Sequence, residues 1–322
     1  MYKVALIGEI HEEGLKILEE SGFHYINIKD YSLNNLKKNL NDVNAIALRT
    51  AELTKEILKE CKSLKIVSRH GVGYDNVDLN YLNENKIALA ITSTANAVTV
   101  AEHVMSMFLN LIKRNNLSDS FVRNGKFKQK KSMEATFELY EKNILILGFG
   151  RIGKELAKRC NSFDMNVYVY DPFVDSKFID ENNCNSIDFD KGIKIADFIS
   201  VHIPLNEKTK YLITKNELSK MKENCVLVNT ARGGIIKEDD LVWALQNQII
   251  HSAGLDVFEQ EPPNINNPLF LLNNLILSPH NAALTLECKR RMGVETCKNI
   301  VNYLTGSPNL ISSNIVNKNI IN

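Results

Sequence analysis

Three glycines and an acid define the first chemical possibility in the chain. Gly148, Gly150 and Gly153 fall on the spacing G-x-G-x-x-G. They follow the short apolar run Asn143–Leu147 and open a segment, Arg151–Ser162, that reads as a helix. Val167–Tyr170 reads as the next strand and Asp171 ends it, roughly 20 residues beyond the last glycine. In that context each glycine has a use. Gly148 permits the tight turn, Gly150 lets a pyrophosphate approach the backbone, and Gly153 lets the helix pack closely on the strand. The N–H groups of the helix start then face the phosphates. Asp171 can accept from ribose hydroxyls and repels a 2′-phosphate. No Arg or Lys follows it until Lys177, so the pattern favours NAD over NADP.

A second group is scattered in sequence but alike in position. The segments Asn229-Thr-Ala-Arg-Gly-Gly, Gly254-Leu-Asp-Val-Phe-Glu-Gln-Glu-Pro and Leu277-Ser-Pro-His-Asn-Ala-Ala each close an apolar run. Ligands of open α/β sheets bind beyond the carboxyl ends of the strands, so Arg232, Asp256, Glu261 and His280 can converge. Their types suit hydride transfer between a hydroxy acid and nicotinamide. A histidine takes the hydroxyl proton near neutral pH, a carboxylate on its second nitrogen fixes the tautomer, and an arginine grips the substrate carboxylate. Glu259 competes with Glu261 for the carboxylate role.

The elements that must hold these groups form a repeating rhythm. Residues 1–93 alternate strands at Lys3–Ile7, Tyr25–Ile28, Ala45–Leu48, Lys65–Ser68 and Ala88–Ile91 with short helices, which predicts a parallel sheet covered on both faces. This half has no glycine fingerprint and suits a substrate domain. Ala97–Arg114 reads as a long helix whose apolar stripe needs a partner, as a bridge between domains or against a second subunit. Asn115–Glu141 is polar and patternless and reads as an irregular arm. The later strands fall at Phe198–Val201, Val226–Asn229, Ser252–Asp256 and Leu275–Leu277, and Thr285–Leu304 is a return helix. The tail from Ser307 is Asn-rich and reads as frayed. The architecture expected is α/β, with two Rossmann-like, doubly wound parallel-sheet domains and a cleft between them. Residues 1–96 plus 286–322 form a flavodoxin-like substrate domain, and 97–285 the NAD domain.

Composition narrows the classes. The 322 residues carry a net charge of +1, which gives no electrostatic case for nucleic acid. The run Lys126, Lys128, Lys130, Lys131 reads as a solvated surface. The six cysteines form no C-x-x-C pair, so neither a metal site nor disulfides are indicated, and a reducing cytoplasm is expected. No signal-peptide core and no membrane span stand out.

Taken together, these motifs resemble the D-isomer-specific 2-hydroxyacid dehydrogenases, in their D-3-phosphoglycerate dehydrogenase-like branch. The resemblance runs through Arg69-His-Gly-Val-Gly-Tyr-Asp-Asn-Val-Asp, Asn96-Ala-Val-Thr-Val-Ala-Glu-His, Gly148-Phe-Gly-Arg-Ile-Gly-Lys, Ser200-Val-His-Ile-Pro-Leu and the three strand-end segments above. It implies that His280 is the acid/base, Glu261 its partner and Arg232 the substrate-orienting arginine. By the same resemblance Asp256 holds the nicotinamide carboxamide. Arg151, Ile152, Ile203, Thr230, Ala231, Arg232, His280, Ala282 and Ala283 line the cofactor. Val72 and Gly73 offer backbone N–H groups to the substrate carboxylate, and Arg49 and Arg69 face a substrate phosphate. The implied substrate is a small 2-hydroxy or 2-keto acid, with 3-phospho-D-glycerate and serine biosynthesis preferred. Glyoxylate/hydroxypyruvate reduction is the alternative, and an NAD(H)-sensing corepressor-like protein is the alternative of another class. Formate dehydrogenases of this fold carry Gln where Glu261 stands. A homodimer or higher homo-oligomer is implied, without the C-terminal regulatory domain of many relatives. Two departures are Glu141, where the family commonly has glycine, and Asn281 after the histidine.

Overall fold

The computed structural model describes residues 1–133, 135–307, 309–310 and 312–321, without the side chains of Ser132 and Ile321. It divides into two compact units, Met1–Asn96 with Ala283–Asn322, and Ala97–Ala282. The first unit alternates β1 (Lys3–Ile7), α1 (Glu12–Glu20), β2 (His24–Ile28), α2 (Leu33–Asn39), β3 (Ala45–Leu48), α3 (Lys55–Leu58), β4 (Ile66–Arg69), α4 (Leu79–Glu84) and β5 (Ala88–Ile91). Its strands pair in the order β2-β1-β3-β4-β5, all parallel. β1, β3 and β5 are buried along nearly their whole length, which is why each reads in sequence as an apolar run, while β4 ends in the polar pair Ser68–Arg69.

The second unit holds α5 (Ala97–Lys113), α6 (Asn115–Arg123), a 3-10 turn at Phe127–Ser132, β6 (Asn143–Leu147), α7 (Arg151–Ser162), β7 (Asn166–Tyr170), α8 (Ser176–Asp180), β8 (Asn185–Ser186) and α9 (Phe189–Ile195). It continues with β9 (Phe198–Val201), α10 (Lys215–Leu218), β10 (Val226–Asn229), α11 (Glu238–Gln246), β11 (Ser252–Leu255) and β12 (Leu275–Leu277). The seven strands run β12-β11-β10-β9-β6-β7-β8. The order reverses at β6, the topological switch point of a dinucleotide fold. The chain then returns through α12 (Leu286–Thr305) and α13 (Lys318–Ile321) to the first unit. The Thr285 hydroxyl accepts from Cys288 N–H to start α12, and Gly306 ends it in a left-handed cap at φ +65°.

Three readings from sequence are corrected. The stripe on α5 is not spent on a bridge: Val104, Met107, Phe108 and Leu111 join the core under β6, β7 and β10 of the second unit. Each such buried side chain contributes about 1.5–3 kcal/mol. The polar arm contains a regular helix, α6, that buries none of its residues. With no core to face, it leaves no apolar signature; Glu134 of the arm lies outside the described residues. The tail is anchored rather than frayed where it is described. Ile315 bridges antiparallel to Ala90, Val316 N–H donates to Leu89 C=O at 2.8 Å, and the Asn317 side chain accepts from Leu89 N–H at 2.9 Å. This covers the β5 edge. Pro308, Ile311 and Asn322 of the tail lie outside the described residues. Among the described residues no helix is long and apolar enough to cross a membrane.

Glu141 sits in the left-handed region at φ +57°, exposed, with its N–H donating to Asp164 C=O at 2.9 Å. That backbone explains the glycine of the family pattern at this position. A non-glycine residue there costs about 1–2 kcal/mol, offset in part by the entropy glycine loses on folding. Glu141→Gly should therefore raise stability by about 0.5–1 kcal/mol in denaturant melts. A lowered midpoint would refute strain at this turn.

Candidate active site

The glycine turn lies between β6 and α7. Gly148 has φ +97°, and a Cβ there would sit 2.6 Å from the His202 carbonyl oxygen after β9. At Gly153 a Cβ would sit 2.2 Å from the Gly148 carbonyl oxygen, so helix and turn touch through the missing side chain. Gly150, the N-cap of α7, differs: its φ of −72° suits any residue, and a Cβ would meet nothing within 4 Å. The fold itself makes no demand for glycine at 150, whereas a phosphate brought against the α7 N-terminus does. Arg151 and Ile152 form the first turn of α7, and Ile203 follows β9 against Gly148.

Asp171 closes the turn from the end of β7. One carboxylate oxygen accepts from Phe149 N–H at 2.8 Å and the other from Phe173 N–H at 2.9 Å. The remaining lone pairs are available to ribose hydroxyls. Beyond β10, the Asn229 side chain accepts from Ala231 N–H at 3.0 Å and donates to Arg232 C=O at 2.8 Å, which shapes the loop carrying Arg232. Arg232 Nη1 donates to Ala231 C=O at 2.7 Å. Thr230 Oγ1 is enclosed there without a hydrogen-bond partner, as is Asn281 Oδ1 in the His280 loop. Orphaned buried polar atoms beside an open glycine turn fit a dinucleotide, whose hydroxyls and carboxamide can satisfy them. Gly233 lies so close to Phe258 C=O that no side chain fits, which presses the Arg232 loop onto the segment leading to Glu261.

Glu261 and His280 meet directly. Glu261 Oε2 lies 2.7 Å from His280 Nδ1, and Oε1 accepts from Phe258 N–H at 3.1 Å. The carboxylate places the imidazole proton on Nδ1 and leaves Nε2 as the basic nitrogen. The side chains are 37% and 50% exposed, so a solvent-borne substrate can reach them. Glu259 is excluded from this role because it is committed elsewhere. It accepts from Glu238 N–H at 2.7 Å, capping α11, and from Tyr211 Oη–H at 3.1 Å.

Asp256, 1% exposed, is the anchor of the His280 loop. Oδ1 accepts from Ser278 Oγ–H at 2.5 Å and Asn281 N–H at 2.9 Å, and Oδ2 from Ala282 N–H at 2.9 Å. His103 on α5 stands 3.1 Å from Ser278 Oγ. Sequence reasoning missed Ser278 and His103 as site residues, although both lie inside quoted motifs; their link to Asp256 spans distances in sequence that no local pattern encodes.

The other expected residues lie in the first unit. Arg49 follows β3 and Arg69 ends β4, whose register pairs Leu48 with Arg69. Arg49 Nη1 is 3.7 Å from Glu9 Oε2, and Arg69 donates to Asn76 Oδ1 at 3.2 Å and His70 C=O at 3.0 Å. Buried His70 is held at a pKa of about 4, first by burial and then by the two guanidinium charges. Val72 and Gly73 follow in the same loop, and Ala283 also belongs to this unit while Ala282 belongs to the other.

Residues 105–282 match the family model described as "D-isomer specific 2-hydroxyacid dehydrogenase, NAD binding domain". The chain belongs to the D-isomer specific 2-hydroxyacid dehydrogenase family. Among relatives in this family, it is 34% identical to the glyoxylate reductase of Thermococcus litoralis over 99% of this chain and 98% of that one. It is 35% identical to the D-3-phosphoglycerate dehydrogenase of Archaeoglobus fulgidus over 95% of its length, but spans only 58% of that relative. Among solved structures, the NAD-dependent formate dehydrogenase of Staphylococcus aureus in complex with NAD superposes with a TM-score of 0.83, at 30% identity and covering 98% of this chain and 99% of that one. The family's cofactor is NAD, which accords with Asp171 at the end of β7.

The two kinds of glycine separate under mutation. Gly150→Ala should melt with the parent and bind NADH at least about tenfold more weakly by fluorescence titration. Gly153→Ala should lose about 1–3 kcal/mol of stability. Equal NADH affinity in Gly150→Ala and parent would remove the pyrophosphate from this turn.

Proposed function

We propose that the chain is an NAD-dependent dehydrogenase that interconverts a D-2-hydroxy acid and its 2-keto acid. The observation that carries this reading is the 2.7 Å contact between His280 Nδ1 and Glu261 Oε2 at the strand ends of the dinucleotide unit. Bound nicotinamide supplies the hydride acceptor or donor. His280 Nε2 takes the hydroxyl proton during oxidation and returns it during reduction. Glu261 accepts from Nδ1–H throughout and stabilises the imidazolium that forms. Arg232 grips the substrate carboxylate and polarises the carbonyl. Asp256 would hold the nicotinamide carboxamide.

Our preferred substrate pair is 3-phospho-D-glycerate and 3-phosphohydroxypyruvate, the entry step of serine biosynthesis. Two arginines at neighbouring strand ends of the first unit suit a second anion. Glyoxylate or hydroxypyruvate reduction is the alternative, favoured by the full-length likeness to a glyoxylate reductase. Formate is disfavoured because Glu261 stands where formate dehydrogenases of this fold carry Gln.

Oxidation of NADH at 340 nm with 3-phosphohydroxypyruvate, glyoxylate and hydroxypyruvate is the deciding measurement. His280→Ala should lower kcat at least about 10³-fold and Glu261→Gln about 10–100-fold. Arg69→Met should raise KM for the phosphorylated substrate by about tenfold or more and leave glyoxylate turnover near parent. No turnover of any 2-keto acid by the parent would sink the reading.

We also propose that the chain works as a homodimer or larger homo-oligomer. Support comes from α6 and the turn after it, where Val122 and Phe127 are each 62% exposed. Light scattering should give at least twice the 36.4 kDa chain mass; a monomer at micromolar concentration would refute it.

A further inference from the structure

His280 sits in the left-handed backbone region at φ +50°, where a residue with a Cβ is disfavoured by about 1–3 kcal/mol. Something must hold it there. Its own N–H donates to Ser278 C=O at 3.1 Å, and the next two N–H groups, of Asn281 and Ala282, are both taken by the Asp256 carboxylate. That carboxylate is in turn fixed from the other side. Ser278 Oγ lies 2.5 Å from Oδ1, and a carboxylate only accepts, so the hydroxyl proton points at Asp256. The hydroxyl oxygen must then accept from His103 Nε2 at 3.1 Å, which fixes a proton on that nitrogen. The same Nε2 is 3.9 Å from Asp256 Oδ1. His103 lies in the middle of α5, a helix locked into the core of its unit by Val104, Met107 and Phe108. The donors thus converge on Asp256: His103 donates to Ser278 and Ser278 to the carboxylate, which also accepts from the two amides that follow the strained histidine.

We propose that His103 is a positioning residue for His280, acting through Ser278 and Asp256 on the backbone that aims the imidazole. The proposal rests on the reading of His280 as the acid/base, and it gives Asp256 a duty beyond holding the nicotinamide. A buried carboxylate with one donor withdrawn turns toward other partners, and a shift of about 1 Å at the reacting group costs up to about 10²-fold in rate.

Hydrogen–deuterium exchange of residues 278–283 in the intact protein and steady-state kinetics test it together. His103→Leu and Ser278→Ala should each speed exchange of the Asn281 and Ala282 amides at least tenfold. Each should lower kcat about tenfold with the KM for the 2-keto acid within about threefold of parent. The double variant should be no worse than the poorer single one, since both cut the same chain. His103→Gln, whose side-chain amide can still donate to Ser278, should stay within about threefold of parent in both readouts. Parent-like amide exchange in both His103→Leu and Ser278→Ala overturns the proposal, and so does a Gln variant indistinguishable from Leu. If exchange responds as expected while the parent reduces no 2-keto acid, the positioning role stands and the dehydrogenase reading falls.

Discussion

The carboxylate of Asp256 is the constraint on which the candidate site depends. A carboxylate almost fully removed from water is costly unless hydrogen bonds replace the lost hydration. Here the replacement comes from Ser278, Asn281 and Ala282, all on the segment that carries His280. The same hydrogen bonds therefore offset both the cost of burying the acid and the strain at His280. The loop cannot relax to an ordinary backbone without stripping donors from the acid, and the acid cannot be solvated without releasing the loop. Asp256 N–H also donates to Asn229 C=O at 3.0 Å, so the base of the Arg232 loop is tied to the same residue. One residue just after β11 thus ties two other strand ends, through its side chain to the His280 loop and through its backbone to Asn229.

Much of this was legible in the sequence, and the reason is burial on both faces. Parallel strands covered by helices favour apolar side chains on both faces, so β1, β3, β5, β6 and β10 stand out as short runs rich in Ala, Val, Ile and Leu. The strand–glycine–helix–strand–acid order was equally plain, because each piece answers a local steric demand. What escaped the sequence has no local demand behind it. α6 buries none of its residues, so no buried face marks it in the sequence. β8 is two exposed residues paired at a sheet edge. The tail finds its place through single side chains, Asn314 and Asn317, that satisfy backbone and polar groups far away in the chain.

The choice between Glu259 and Glu261 shows the same limit at the site. Both are acids two residues apart on one loop, and composition cannot rank them. Glu238 decides. Its N–H starts α11 and needs an acceptor, and Glu259 provides it while donating its own N–H back to the Glu238 carboxylate at 2.5 Å. That reciprocal pair consumes Glu259 and leaves Glu261 to turn toward His280. Helix capping in one place thus assigns a chemical role in another, through a pairing that spans the 238–259 interval.

The first unit carries its own electrostatic argument about what it binds. Arg49 and Arg69 follow adjacent strands, and both bear on His70, which burial and their charges keep neutral. A protonated His70 would add a third positive charge beside them. Beside it, Arg49 Nη1 lies 3.7 Å from the exposed Glu9 carboxylate, and Arg69 donates to the oxygens of Asn76 and His70. Like charges held close repel, and that repulsion is relieved by an anion rather than by a neutral ligand. A phosphate carries more charge and more acceptor oxygens than a single carboxylate, and that difference is what the proposed preference for a phosphorylated acid draws on.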